Sequence, residues 1–175
     1  MPKYWIITVT EENWQVIKTT NTYGAPETQM SRSARNLIKP GDIIIFYVKK
    51  KGSKNLGSKF VGVFKVASEW YREEKPLWPD EIREGKVKYP WRIKLEPLKL
   101  GVADFNSLVP RLEFIKRKER PNAYLVGTPA NLRRPIPEHD AKEIMEAQKG
   151  IAVKTMRVIM PPGVYPKAWK KRKTE

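Results

Sequence analysis

The hydrophobic pattern at the start of the chain predicts a buried strand followed by a short helix. Residues Lys3 to Thr10 form an apolar, β-branched and aromatic run, which is typical of a strand in a core. Thr10 can cap a helix whose first turn carries two glutamates, a favourable arrangement for the helix dipole. Trp14 and Ile17 then share the inner face of that helix. We therefore expect Trp5 and Trp14 in the core.

The central part of the chain predicts a hairpin followed by a further strand. Residues Asp42 to Lys49 are almost continuously apolar, as in a strand covered on both faces, and Phe60 to Glu69 returns after a Gly- and Lys-rich loop. Trp70 to Lys86 is rich in charge and proline, which indicates a long excursion, and loops of that length are usually functional or disordered. Tyr89 to Leu98 follows as another strand.

A loop and a short basic helix precede this hairpin. Residues Asn21 to Pro26 contain Gly and Pro, which favours a loop that presents an aromatic ring. A helix over about Arg32 to Ile38 would be capped by Ser31 or Ser33 and would end at the Pro-Gly turn that follows.

The C-terminal third predicts short helical turns, one amphipathic helix and a basic tail. Turns and loops are expected from Gly101 to Pro135, and a helix between Pro137 and Gly150. Residues Ile151 to Met160 could form a last strand, and Lys170 to Lys173 form a basic tail. Strands with segregated helices and no βαβ alternation predict an α+β fold built round a small mixed barrel. We expect one domain over 1–150, with the last strand and tail over 151–175.

The net charge favours a polyanionic partner. The chain carries 35 Lys+Arg against 19 Asp+Glu, a formal net charge of +16 on 175 residues. Such an excess attracts nucleic acid by long-range electrostatics and counterion release. The ion-pair networks of thermophilic proteins balance the two signs, and here the signs are unbalanced. RNA or DNA is therefore the expected partner.

The sequence lacks the residues that several kinds of chemical site and enzyme require. The chain has no cysteine, which excludes disulfides and thiolate nucleophiles, and its single histidine, His139, is expected on the solvent side of a helix start. Phosphate-loop, zinc-protease and serine-esterase motifs are absent, so we expect no enzyme, catalytic residue, metal or cofactor. A magnesium-dependent nuclease built from scattered carboxylates stays open. With no long apolar run and no leader, we expect a cytoplasmic protein without a membrane partner.

The aromatic residues divide by their position. Rings in apolar periodic segments are expected in the core: Trp5, Trp14, Phe46, Phe60 and Phe64. In contrast, Tyr23, Trp70 and Trp78 lie in segments rich in Gly, Pro and charge, where burial in the main core is harder. Flat rings beside cations are what recognition of single-stranded or flipped bases requires. These three rings are therefore candidates for base contacts.

Five segments in this order resemble an EVE domain, a member of the PUA-like group that also contains YTH domains. They are Tyr4-Trp5-Ile-Ile, Asn21-Thr-Tyr-Gly-Ala-Pro, Ser33-Ala-Arg-Asn-Leu-Ile-Lys-Pro-Gly-Asp-Ile-Ile-Ile-Phe-Tyr47, Val61-Gly-Val-Phe-Lys-Val and Tyr89-Pro-Trp-Arg-Ile. The resemblance covers roughly Pro2 to Lys149. It implies a PUA-like barrel that holds a modified base, such as a methylated adenine or cytosine, in an aromatic cage. The group also includes reader domains of McrB-type restriction systems, so a restriction or RNA-modification system is a possible setting.

The resemblance also implies a set of site residues. Tyr23 matches the first cage ring, where the family usually has Trp, and Trp78 resembles the second wall of the YTH cage. Polar contacts to the base edge correspond by position to Thr8, Thr10 and Asn13. The full base-binding set that we predict is Thr8, Thr10, Asn13, Tyr23, Gly24, Trp70 and Trp78. The phosphate-binding set, chosen for its charge, is Arg32, Arg35, Lys116, Arg117, Lys118, Arg120, Arg133 and Arg134.

Two other functions stay open at this point. One is an RNA-modifying or metal-dependent nucleic-acid-processing enzyme. The other is a structural, ribosome-associated protein whose basic surface binds RNA without a base pocket.

Overall fold

A computed structural model of the chain describes residues 2–125 and 134–152. This part contains seven strands: β1 (Tyr4–Val9), β2 (Thr22–Ala25), β3 (Ile43–Val48), β4 (Lys59–Val66), β5 (Tyr71–Arg72), β6 (Trp91–Asp104) and β7 (Lys149–Ala152). It also contains five α-helices: α1 (Glu11–Thr20), α2 (Gln29–Leu37), α3 (Pro79–Glu84), α4 (Phe105–Leu108) and α5 (Glu138–Ala147). Two 3₁₀ turns span Val109–Arg111 and Pro121–Leu125.

The strands form one mixed sheet that curls into a half-barrel. The order is β1-β3-β4-β6-β2, with β5 and β7 also paired to β6. Strands β1 and β3 are parallel and the other pairs are antiparallel. Strand β6 is long enough to pair with β2 and β5 through its first residues and with β4 and β7 further on, and two register shifts interrupt its ladder with β4. The predicted α+β fold with short helices around a small mixed barrel is confirmed.

Two hydrophobic clusters cover the two faces of the central strand β3. Ile44 and Phe46 belong to one cluster, and Ile45 and Tyr47 belong to the other. All six residues of β3 are buried, which confirms the prediction of a strand covered on both faces, and its predicted hairpin with β4 is also present. We call the cluster that contains Phe46 the first core; helix α1 packs on it through Trp14, which is 2% exposed.

The segment predicted as a Gly/Pro loop over Asn21 to Pro26 is largely a strand, so that prediction is wrong. Asn21 ends α1 in the left-handed conformation, with φ of 54°, and β2 begins at the next residue. Strand β2 pairs with the start of β6, so that Tyr23 lies opposite Ile93. Strand β2 has a glycine at position 24 because a neighbouring ring occupies the space into which a Cβ would project.

The second helix begins earlier than predicted. Thr28 caps α2 and forms a reciprocal pair of hydrogen bonds with Ser31, three residues on, so neither Ser31 nor Ser33 is the capping residue. Other boundaries also differ from the prediction: the charged excursion after Trp70 contains β5 and α3, and β6 runs six residues beyond Leu98.

The C-terminal elements agree with the prediction as far as they are described. Helix α5 lies between Pro137 and Gly150 and buries Ile144. Strand β7 covers the start of the predicted last strand and runs across the predicted domain boundary at 150/151, which stays a prediction. The rest of Ile151 to Met160 and the basic tail lie outside the described residues.

Candidate ligand-binding cavity

A cavity of about 280 Å³ opens where the end of β1, the start of α1, strand β2 and the segment around α3 meet. Its volume lies just below the usual range for small-molecule sites, about 300–1,000 Å³, which suits a ligand of the size of one base. The lining combines aromatic, polar and cationic side chains: Thr8, Val9, Thr10, Asn13, Ile17, Tyr23, Gly24, Pro26, Lys49, Trp78 and Tyr89.

Six of the seven predicted base-binding residues line this one cavity. They come from three segments of the chain: Thr8, Thr10, Asn13, Tyr23, Gly24 and Trp78. The seventh, Trp70, is not part of the lining; it packs edge-on against Tyr23 and donates a hydrogen bond from its indole nitrogen to the carbonyl of Ile38. The roles of all seven in binding stay predictions.

The two predicted cage rings are more buried than their loop-like sequence contexts indicate. Tyr23 is 5% exposed and packs against Phe46 in the first core, and Trp78 is 2% exposed. The expectation that a ring is harder to bury in these segments is therefore wrong for both. Burial raises the pKa of the Tyr23 hydroxyl well above its usual value, so this group stays neutral. Both rings line the cavity and are also part of the packed interior.

Trp78 forms one side of the cavity together with Tyr89. The two rings meet edge to face, with centroids 5.6 Å apart at 82°. A Cβ on Gly24 would lie only 2.5 Å from Cη2 of Trp78, so the indole reaches the backbone of β2 directly. The guanidinium of Arg92 lies 5.0 Å from the indole centroid. These contacts fix the position of Trp78 and Tyr89, which we call the wall of the cavity.

A buried carboxylate holds the segment that carries this wall. Glu81 is fully buried and accepts hydrogen bonds from four backbone N–H groups, at distances of 2.7–3.1 Å. The donors precede and follow helix α3: Leu77, Trp78, Lys88 and Tyr89. Arg92 Nη2 lies 3.7 Å from the same carboxylate. Glu81 thus joins the two ends of the segment that positions Trp78 and Tyr89.

The polar lining offers both satisfied and free groups. Thr10 accepts from the backbone N–H of Asn13 as the cap of α1, and the Thr8 hydroxyl donates to the carbonyl of Leu125 at 2.8 Å. In contrast, Oδ1 of Asn13 is buried and has no hydrogen-bond partner among the described residues. A buried acceptor without a partner is costly, so a ligand that donates to it would gain affinity.

A basic loop borders the cavity on the side of β3. Lys49 lines the cavity and is exposed, and the loop after it carries further exposed lysines. Glu11 at the start of α1 accepts from the backbone N–H groups of Asn55, Leu56 and Lys54, which fixes this loop against the helix. These backbone bonds lower the pKa of the Glu11 carboxyl. The loop therefore supplies positive charge at a defined place beside the cavity.

A second cationic group is linked to Pro26 of the cavity lining through Ser31, whose hydroxyl donates to the carbonyl of Pro26. The guanidinium of Arg35 stacks over Trp91, 4.4 Å from the ring centroid, and donates to Ser31 Oγ at 2.6 Å. Arg72 lies over the same ring at 5.4 Å and pairs with Glu27. Burial lowers the pKa of Arg35, although the group stays charged at neutral pH. Arg32, one turn earlier on α2, is exposed.

The remaining residues of the predicted phosphate-binding set differ in how available their charged groups are. Lys116, Arg117 and Arg120 are exposed in the segment before the second 3₁₀ turn, and Arg134 is exposed before α5. Lys118 donates from its ammonium group to the carbonyls of Val109 and Leu112, at 2.8 and 2.6 Å, so it closes a turn of its own chain. Arg133 lies outside the described residues.

Sequence reasoning missed several lining residues, above all Lys49 and Tyr89. Lys49 directly follows β3, whose parallel register with β1 pairs Val48 with Val9, and this register brings Lys49 to the start of α1. A parallel pairing of the two apolar runs could have indicated it. Tyr89 lies in one of the segments that carry the family resemblance, yet its role as a wall depends on the Glu81 contacts, which no local pattern shows.

The described residues contain neither a metal site nor a membrane-spanning helix. Within residues 2–125 and 134–152, no group of three or more His, Cys, Asp or Glu side chains is placed to hold a metal ion. In the same ranges, no helix combines the length and apolar character needed to cross a membrane. His139 is exposed at the start of α5, 3.9 Å from Glu113.

The curled mixed sheet, the short helices and the cavity at the end of β1 define a PUA-like domain. A family profile described as the EVE domain matches residues 3–147, so the chain belongs to the EVE domain family. It is 40% identical over 146 residues to the UPF0310 protein SSO2595 of Saccharolobus solfataricus, covering 83% of this chain and 95% of that protein. It is 37% identical over 144 residues to the UPF0310 protein PH1033 of Pyrococcus horikoshii, covering 81% and 95%.

Solved YTH domains share the fold. The YTH domain of Pho92, in a crystal structure in complex with m6A, aligns with a TM-score of 0.53 over 83% of this chain and 82% of that chain, at 16% identity. The YTH domain of the Zygosaccharomyces rouxii MRB1 protein, in complex with N6-methyladenosine RNA, also gives a TM-score of 0.53, over 87% and 91%, at 14% identity. The resemblance to EVE and YTH-like domains inferred from sequence is confirmed.

Proposed function

We propose that this protein is a non-catalytic reader of nucleic acid that takes one base, in a modified form such as a methylated adenine or cytosine, into the cavity beside Asn13. The cavity carries the proposal: it joins three aromatic rings to a buried acceptor that has no partner among the described residues, with cationic side chains nearby. Aromatic walls bind the faces of a base, and polar groups bind its edge. RNA and DNA both fit this chemistry.

The family and fold support the same proposal. The chain is an EVE domain, and YTH domains with the same fold are described in complex with m6A or with N6-methyladenosine RNA. Cations at Arg32, Arg35 and Lys49 would hold the phosphates on either side of the bound base. The excess of 35 basic over 19 acidic residues would supply the affinity that does not depend on sequence.

A binding panel with the full chain tests the proposal. Single-stranded RNA and DNA oligonucleotides of one sequence would carry, at a single central position, an unmodified adenine or cytosine or one of its methylated forms. We expect one methylated form to bind several-fold more tightly than its unmodified counterpart, because one buried methyl contributes about 0.8 kcal/mol. Salt concentration is held constant, since it changes every affinity in the panel.

The same panel separates the alternative functions. A basic protein without a base pocket would bind all the oligonucleotides alike, and that result would overturn the proposal. Cleavage or conversion of labelled oligonucleotide in the presence of magnesium or manganese would identify an enzyme instead. Tyr4→Phe is a suitable control variant, because Tyr4 lies outside the cavity lining, at the opposite end of β1, and should leave the preference unchanged.

A further inference from the structure

We infer that the carboxylate of Glu27 occupies a phosphate site on the surface beside the cavity, and that it leaves when a backbone phosphate of a nucleic acid binds there. Trp91 and Arg72 hold this carboxylate, next to Arg35. The inference rests on the proposed function only for its partner, a nucleic acid, and does not depend on which base enters the cavity. In the free protein the chain itself fills the site.

Each oxygen of the Glu27 carboxylate has its own donor. The indole Nε1 of Trp91 donates to Oε2, and Nη1 of Arg72 donates to Oε1 at 2.9 Å. The guanidinium of Arg35 stacks on the same indole, with its central carbon 4.4 Å from the ring centroid. The hydrogen bond from Trp91, and then that from Arg72, lowers the pKa of Glu27, so this group is an anion at neutral pH. One indole N–H and one guanidinium thus bind one small anion, with a second guanidinium beside them.

The fold holds these donors in place through contacts other than Glu27. Trp91 begins β6 and pairs with both β2 and β5 in the sheet. Arg72 also donates from Nε to Glu74 at 2.6 Å, and Arg35 is held by its hydrogen bond within α2. In contrast, Glu27 lies between β2 and α2, and its side chain is 58% exposed. The donors are therefore the fixed part of the site, and the carboxylate is the part that can be replaced.

A backbone phosphate fits this site better than a second carboxylate does. Its two unbridged oxygens can accept the same two N–H donors, and a guanidinium matches the geometry of phosphate well. The 35 basic and 19 acidic residues attract a polyanion to the chain, and a bound phosphate also releases counterions from the nucleic acid. Pro26, the residue before Glu27, lines the cavity, so the site is adjacent to the proposed base site.

Removal of the competing charge tests the inference. Glu27→Gln keeps an acceptor for the indole N–H but loses the charge, so a single-stranded oligonucleotide should bind the full chain about 1.5- to 5-fold more tightly, the effect of one surface ion pair. Glu143→Gln is the matched control, because it makes the same change of charge in a pair with Arg111 on the α5 side, and it should leave affinity close to that of the wild type. In an Arg72→Gln background, Glu27→Gln should gain no more than this control. Melting temperatures confirm that each variant is folded.

The signal of the Trp91 indole N–H reports the displacement directly. In proton–nitrogen correlation spectra of the free proteins, this signal should differ between the wild type and Glu27→Gln, because the indole donates to a carboxylate in one and to an amide in the other. With saturating oligonucleotide the two signals should coincide, because the same phosphate replaces both side chains. Trp5 is the matched control: its indole also donates to a carboxylate, that of Asp42 at 3.0 Å, but it is only 1% exposed, so its signal should not move. Trp91→Phe assigns the signal.

The outcomes separate this site from the base cavity. Three results would each overturn the inference: Trp91 signals that stay distinct when the oligonucleotide is bound, equal gains in Glu27→Gln and Glu143→Gln, or a gain that persists without Arg72. A glutamate-rich peptide that makes the Trp91 signals coincide, where the oligonucleotide does not, would assign the site to a protein partner instead. If the signals coincide and the gain depends on Arg72 while every base binds alike, the phosphate site stands and the proposed base reader fails. If no oligonucleotide binds, both fail.

Discussion

Gly24 is the residue at which strand β2 and the Trp78 wall come closest. A Cβ at this position would lie 2.5 and 2.7 Å from two atoms of the indole and 2.9 Å from Cβ of Tyr89. Contacts that short do not occur between real side chains, so any larger residue must displace the wall. The backbone of Gly24 does not adopt a positive φ, so the requirement for glycine is one of space alone.

We expect Gly24→Ala to destabilise the fold by about 1–3 kcal/mol, the usual cost of an extra methyl in a packed site, and to weaken base binding. Chemical denaturation and the oligonucleotide panel would measure the two effects. In the double variant Gly24→Ala/Trp78→Phe the smaller ring removes the indole atoms that clash, so the combined loss should be less than the sum of the two single losses. Additive losses would show that Gly24 and Trp78 are not in contact.

At the residue scale the sequence predicts which side chains meet more reliably than how they are placed. Tyr23, Trp78 and Asn13 come together in one cavity although they belong to three separate elements of the chain. The burial of Tyr23 and Trp78 was missed because glycine, proline and charge dominate their neighbourhoods. Lys49 was missed because its place depends on the register between two distant strands.

At the scale of elements, helix α3 and its flanking residues act as one unit held by Glu81. This carboxylate is buried and accepts hydrogen bonds from four backbone N–H groups at the two ends of the unit. The buried guanidinium of Arg92 completes the unit by donating to the carbonyls of Tyr89 and Lys75. The wall of the cavity therefore depends on a charged group that is not itself part of the lining.

We expect Glu81→Gln to lower the free energy of unfolding by about 3–5 kcal/mol, the range for breaking a buried ion pair. Glutamine has one acceptor oxygen where the carboxylate has two, so part of the N–H set would face an NH₂ group. Denaturant melts measure the change. Glu84→Gln is the matched control in the same helix, because Glu84 is exposed and its ion pair with Lys88 is on the surface; its melting temperature should stay close to that of the wild type. Equal effects of the two substitutions would contradict the role given to Glu81.

The elements that could be predicted from sequence are those with a clear apolar period and a capping residue. Strands β1 and β3 and helix α1 were predicted in place because their burial follows directly from that pattern. Strand β2 was not predicted, because its four residues include a glycine, which favours a loop by composition but is required here by tertiary packing. Helix α3 was not predicted, because the residue that it buries is a glutamate, Glu81, and sequence patterns place glutamate in solvent.

At the scale of the whole molecule, the two faces of the sheet differ in what they carry. The cavity and the Arg35–Trp91 stack belong to the side of the first core, whereas α5 packs on the second cluster. Lys49 lies in the cavity lining, and Arg35 is linked through Ser31 to Pro26, another residue of the lining. A nucleic-acid strand that places a base in the cavity would therefore meet positive charge close to that base.

We expect binding to be strongly salt-dependent and the dependence to be local to this face. If about five cations contact phosphates, log K against log salt should have a slope near −3.5 on a single strand and near −4.5 on a duplex. Arg32→Glu should weaken all sequences alike and make the slope shallower by about one, without changing base preference. Lys142→Glu makes the same change of charge on α5, where the side chain is exposed and the helix packs on the other cluster, so its effect should be smaller. Titrations at several salt concentrations decide this: a slope near zero would contradict the electrostatic contribution, and equal losses in the two variants would show that net charge, and not this surface, determines the affinity.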